Sequence, residues 1–93
     1  MNHFNELSPA EAERLAILAE ECGEVVQACM KVLRHGFDSH TNRADLLKEV
    51  GDVTAAIKLM TAAGDIDSHA VKIAALSKLE RIRPWLHHQE GQP

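Results

Sequence analysis

The sequence predicts an all-α protein: an antiparallel helical hairpin followed by a third helix. Three observations carry this. Apolar residues recur at steps of three and four in three separate stretches, cap and stop residues bracket those stretches, and no run of five residues alternates as a half-buried strand does. Aromatic residues make up only 3% of the chain, so the core must be aliphatic, which suits helix-on-helix packing.

The first helix is expected from Pro9 to about His35. Ser8 fits the N-cap, Pro9 the first helical position and Glu11 the third, the pattern of a capping box. Leu15, Leu18, Cys22, Val25, Cys29 and Val32 form its predicted apolar seam, and Val26, Met30 and Leu33 widen that face. Gly36 is the stop, preceded by Arg34 and His35, which suit the negative helix end. Residues 36–41 read as a loop in which Phe37 anchors the hairpin. Asn42 is the candidate cap of a second helix, whose seam is Leu46, Val50, Val53, Ile57 and Met60. Gly64 ends it. Asp67 or Ser68 caps a third helix from His69 to about Arg83, with Val71, Ala74, Ala75, Leu79 and Ile82 on its apolar side. Pro84 disfavours helix at the residue before it. Trp85 is expected to cover the small core. Residues 1–8 and 85–93 are expected to be flexible ends of a single domain spanning 1–93.

Composition narrows the function classes. At 93 residues the chain is one domain at most, and its 26% charged residues fit a folded domain. A net charge of −4 argues against stable nucleic-acid binding, which needs a basic stripe. No apolar run is long enough to span a membrane, and the polar N-terminus does not read as a signal peptide. Cys22 and Cys29 lie about 10 Å apart along one helix, too far to pair, and read as reduced core residues of a cytoplasmic protein.

The informative feature is an internal echo. Leu18-Ala-Glu-Glu-Cys-Gly-Glu-Val25 and Leu46-Leu-Lys-Glu-Val-Gly-Asp-Val53 share the form Leu-x-x-Glu-x-Gly-acid-Val on successive helices. At about 100° per residue, Glu21 and Glu24 lie about 60° apart and one turn apart, as do Glu49 and Asp52. Antiparallel packing through the two seams brings the four carboxylates to a shared space. They need a counter-charge, and a hard divalent cation with oxygen ligands supplies it, Mg²⁺ being usual where phosphate also binds. Gly23 and Gly51 each cost roughly 1 kcal/mol relative to alanine in a helix, which points to a close approach of backbone or ligand beside the acids. A solvated acidic face with intrahelical ion pairs is the simpler alternative. No Glu has a His three residues later, as a di-iron bundle requires, and Cys22 and Cys29 have no neighbouring His for zinc. His3, His35, His40, His69, His87 and His88 fall near element ends or in loops. Lys31 lies about 20° around the helix from Glu24 and can reach a phosphate; Arg34 is one turn further, and surface ion pairing is the alternative for both.

Glu20-Glu21-Cys22-Gly23-Glu24 followed by Glu49-Val50-Gly51-Asp52 resembles the Glu-Glu-x-x-Glu then Glu-x-x-Asp signature of the MazG-like, all-α nucleoside triphosphate pyrophosphohydrolases. The 24-residue gap between the halves fits the family. So do the stretch Val25–Gly36 and the Asn42-Arg43 pair. The likeness covers residues 14–60 well and extends weakly to Lys78-Leu79-Glu80-Arg81. It implies Mg²⁺-dependent cleavage (Mn²⁺ as a substitute) of a nucleoside triphosphate, ribo- or deoxy-, to the monophosphate and pyrophosphate. It also implies that Glu21, Glu24, Glu49 and Asp52 are metal ligands and that Glu20 supports them or orients water. Larger members often carry aromatic base-stacking residues, for which Phe4 and Trp85 are the candidates here. Larger members also carry extra helices, so a homodimer or homotetramer is expected to complete the bundle. Two other functions compete: a non-enzymatic helical interaction module, and a helix-turn-helix DNA binder using Lys78, Arg81 and Arg83.

Overall fold

The computed structural model describes residues 5–38 and 41–89. The expectations for His3, Phe4 and His40, and for the outermost residues of both ends, lie outside that range. Helix α1 spans Pro9–His35, α2 spans Asn42–Ala63 and α3 spans Ser68–Ile82, followed by a 3-10 turn over Arg83–Trp85. The described residues contain no strand.

Local chemistry sets the helix ends. The Glu11 N–H donates to Ser8 Oγ at 3.1 Å and the Ser8 N–H donates to Glu11 Oε1 at 2.8 Å, completing the capping box. This bonding holds the Glu11 carboxyl below the usual range, first through the Ser8 N–H and then through its hydroxyl. Past the end of α2, Gly64 takes φ +87°, and its N–H and that of Asp65 donate to the Thr61 and Met60 carbonyls at 3.2 and 2.9 Å. A left-handed residue closing two trailing carbonyls in this way favours glycine. At α3, Asp67 is the cap, accepting from the Ala70 N–H at 2.8 Å.

Asn42 departs from its expected role. Thr41 precedes the first helical residue of α2, and Asn42 is buried at the head of the helix. Its amide donates to the Gly36 and Lys31 carbonyls at 3.2 and 3.4 Å. The open carbonyls at the end of α1 offer it better partners than its own helix does. Arg43 lies over the Phe37 ring, 4.5 Å from the centroid, and pairs with Asp38 at 3.1 Å, so Phe37 marks the hairpin turn through a cation contact.

Helices α1 and α2 pack against each other along the hairpin, whereas α3 has no comparable packing with either. The seam is rotated by one residue from the expected one. In α1 it follows Arg14, Leu18, Glu21, Val25, Ala28 and Val32, leaving Leu15, Cys22 and Cys29 exposed. In α2 it follows Asn42, Asp45, Glu49, Asp52, Ala56 and Met60, flanked by Leu46, Val53 and Ile57, while Val50 is exposed. Among the described residues the buried apolar ones are Ala28, Ala56 and Met60. Two of these three are alanines, so the helices meet largely through small side chains, with Leu46, Val53 and Ile57 half-buried at the flanks. Cys22 and Cys29 are therefore free, exposed thiols and not core residues.

The apolar side of α3 is largely uncovered among the described residues: Val71 and Leu79 are exposed, and Ile82 is half-buried. Trp85 is 76% exposed and does not cover the core. The molecule is accordingly extended, 52 × 32 × 22 Å, with a radius of gyration of 16.7 Å against about 12 Å for a compact chain of this length.

Candidate metal centre

The rotated seam places acids where a simple hairpin carries leucines. Glu21 from α1 and Glu49 and Asp52 from α2 all occupy it, Glu21 about two turns before the buried Ala28. One carboxylate oxygen from each can be chosen so that all three lie within 4.8 Å of one another. The Glu49 side chain retains 17% of its accessible surface and that of Asp52 40%. Close helix packing on one side and solvent on the other thus hold three like charges together.

The electrostatics follow from this crowding. Partial desolvation raises the Glu21 carboxyl above the usual range, and the charges of Asp52, Glu49 and Glu20 raise it further; Lys48 acts the other way. Lys48 is the local counter-ion. Its Nζ donates to Asp52 Oδ2 at 3.0 Å and to Glu49 Oε1 at 3.3 Å. Those two contacts, Asp52 first, push the ammonium above the usual lysine range.

Of the other residues expected at the site, Glu24 stands outside the tight triple. With Glu49 it lines an adjoining cavity of about 280 Å³, along with Gln27, Lys31, Asp45 and Lys48 over Ala28. Lys31 therefore faces the same space as the acids, and none of the described ion pairs includes it. Glu20 is exposed beside Glu21, which feels its charge. Arg34 is exposed near the end of α1 and is not among the residues lining this cavity. Gly23 and Gly51 are exposed, and a Cβ on either meets nothing within 4 Å. Among the described residues no backbone approaches either glycine closely, so of the two expected approaches the one by backbone is not made within the chain.

Sequence reasoning missed Lys48, Asp45 and Asn42. The signal for Lys48 was present: it sits four residues before Asp52, the spacing at which opposite charges meet on a helix. It is also where the internal echo inverts, since Glu20 holds the equivalent place in the first copy. Nothing local marked Asn42 as a bridge, because its partners belong to the preceding helix.

The donor set fits a hard divalent cation. It consists of oxygens alone, from three partly buried carboxylates, with no thiol or imidazole among them. An all-α hairpin with such a set defines the class: a helical protein with a carboxylate cluster in its seam that could hold a metal. The chain belongs to the MazG nucleotide pyrophosphohydrolase domain family, whose model matches residues 10–87. That membership carries nucleotide pyrophosphohydrolase activity as a general expectation. No curated protein and no solved structure gave a match. Among the described residues no helix is long and apolar enough to cross a membrane.

Proposed function

We propose that this protein is a Mg²⁺-dependent nucleoside triphosphate pyrophosphohydrolase, converting a ribo- or deoxynucleoside triphosphate and water to the monophosphate and pyrophosphate. The observation that carries the reading is the convergence of Glu21, Glu49 and Asp52 oxygens within 4.8 Å, in a chain of the MazG family. Glu24, one turn from Glu21 and lining the adjoining cavity, would complete the ligand set. Mg²⁺, or Mn²⁺ in its place, would be held by these carboxylates and would supply neutralisation of phosphate oxygens and a coordinated water of lowered pKa. Glu20, exposed beside the cluster, orients that water or accepts its proton. Lys31 holds a phosphate across the cavity. Arg34, exposed nearly one turn after Lys31 on the same helix, adds positive charge to the phosphate side.

A homodimer or homotetramer belongs to this proposal. The chain exposes 7623 Å², against about 5,400 Å² for a compact monomer of its mass. The excess is more than the roughly 800 Å² each partner buries in an ordinary interface. Val26, Met30 and Leu33 on α1 and Leu76 and Leu79 on α3 supply the apolar surface. The proposed location is the cytoplasm, where nucleotide substrates and free thiols such as Cys22 and Cys29 are both at home. No stable binding to nucleic acid is proposed, since the net charge is −4 and Arg83 is paired with Glu80.

The test is product identification with each common nucleotide and Mg²⁺ or Mn²⁺. Monophosphate and pyrophosphate as first products support the reading. A nucleoside diphosphate and orthophosphate mean attack at the γ-phosphorus and contradict it, and no turnover with any nucleotide favours a helical interaction module.

A further inference from the structure

We propose that Lys48 is an exchangeable counter-ion: it neutralises the acidic seam when no metal is bound, and it passes to the substrate's phosphates when a divalent cation takes its place. The inference rests on the metal-site reading above and adds a role to a residue outside the acidic signature.

Geometry supplies both ends of the exchange. Lys48 Nζ contacts Asp52 and Glu49 at 3.0 and 3.3 Å, and these residues provide two of the three clustered donors. A dication on those oxygens would stand beside the ammonium, and two cations cannot share them without strong repulsion. Lys48 is free to leave. Its side chain is 68% exposed, and an exposed ion pair on a flexible four-carbon stem is weak enough to be broken at little cost. The same side chain lines the neighbouring cavity opposite Lys31, so the two helices of the hairpin each offer one ammonium to that space. A lysine acts on phosphate as a compact point charge and needs no fixed bidentate geometry, which suits a group that must move. The internal echo agrees: the flanking acids recur in both copies, while Glu20 in the first is replaced by Lys48 in the second.

Exchange predicts effects of opposite sign from one substitution. In Lys48→Ala, Mg²⁺ has no resident cation to displace, so calorimetric titration of the full chain without nucleotide should show about three- to tenfold tighter binding. In saturating Mg²⁺, a nucleoside triphosphate analogue with a non-hydrolysable α,β linkage should bind about tenfold more weakly to the same variant. Lys48→Arg, which keeps the charge, should return both affinities towards wild type. Unchanged or weaker Mg²⁺ binding in Lys48→Ala overturns the proposal, as does unchanged analogue binding. A merely structural lysine would weaken both affinities together. If wild type and Glu49→Gln show the same Mg²⁺ affinity, the metal-site reading itself fails and the exchange falls with it. That outcome is recognised without any measurement on Lys48.

Discussion

Two charged clusters along the hairpin are built in opposite ways. Near the start of α1, Arg14 meets Asp65 just beyond α2 through two contacts, Nε to Oδ2 at 2.5 Å and a terminal nitrogen to Oδ1 at 2.9 Å. Charge matches charge, the planar guanidinium fits the carboxylate, and Asp65 is held below its usual pKa by that bonding. Further along the same seam, Glu21, Glu49 and Asp52 cluster with one exposed lysine, Lys48, paired to two of them, and Glu21 is pushed up. The first site is complete within the chain. The second has more like charge than the chain neutralises, which is the imbalance the proposed cation would relieve. One helix pair thus carries a matched ion pair beside an unbalanced acidic cluster.

The sharpest break in this comparison is in activity. Glu49→Gln is nearly isosteric but removes a charged ligand, and turnover should fall by about two orders of magnitude or more with the helices intact by circular dichroism. Asp65→Asn should do the reverse, keeping Mg²⁺ affinity and turnover while lowering the melting temperature by several degrees. Equal loss of activity in both would erase the distinction between the two sites.

Stability in the absence of metal should separate them further. Glu21→Gln removes one of the crowded charges, so it should stabilise the metal-free protein while reducing the Mg²⁺-induced rise in melting temperature. The pH dependences have opposite signs. Asp65's contribution is fully present above its unfolded value near 3.8 and is lost as pH falls through its lower folded value. For Glu21 the folded value lies above 4.5, so its penalty is present at neutral pH and is relieved as pH falls through the folded value towards 4.5. Denaturation of wild type against each variant across pH 3–7 should therefore show the Glu21→Gln gain vanish near pH 4.5 while the Asp65→Asn loss persists there.

The smallest expected effect concerns the paired glycines. A Cβ at Gly51 meets nothing within 4 Å, so Gly51→Ala should stabilise the helix by roughly 0.5–1 kcal/mol in chemical denaturation. A loss of stability or of activity would place a partner chain or a substrate against that face.

Much of the architecture was legible in local chemistry. Ser8, Pro9 and Glu11 marked the start of α1 and Gly36 its end, because caps are satisfied by residues within a few positions. Asp67 was one of two candidates for its cap and proved to be the cap. The rotation of the seam was not legible. Periodicity favours the largest apolar residues, Leu15, Cys22 and Cys29, whereas the helices met through Ala28 and Ala56 one residue round. That displacement is also what moved Glu21, Glu49 and Asp52 from beside the seam into it and left Glu24 at the cavity. Helical spacing predicted convergence of the acids but not which three would converge, since that depends on how closely two backbones pack.

If the seam acids, and not the Arg14–Asp65 pair, hold the proposed divalent cation, calorimetric titration of Mn²⁺ into wild type, Glu21→Gln, Glu49→Gln and Asp65→Asn will show it. Wild type and Asp65→Asn should bind with the same affinity, and the two seam variants should lose binding. Equal binding by all four, or none by wild type, would mean that the seam acids are not the metal site.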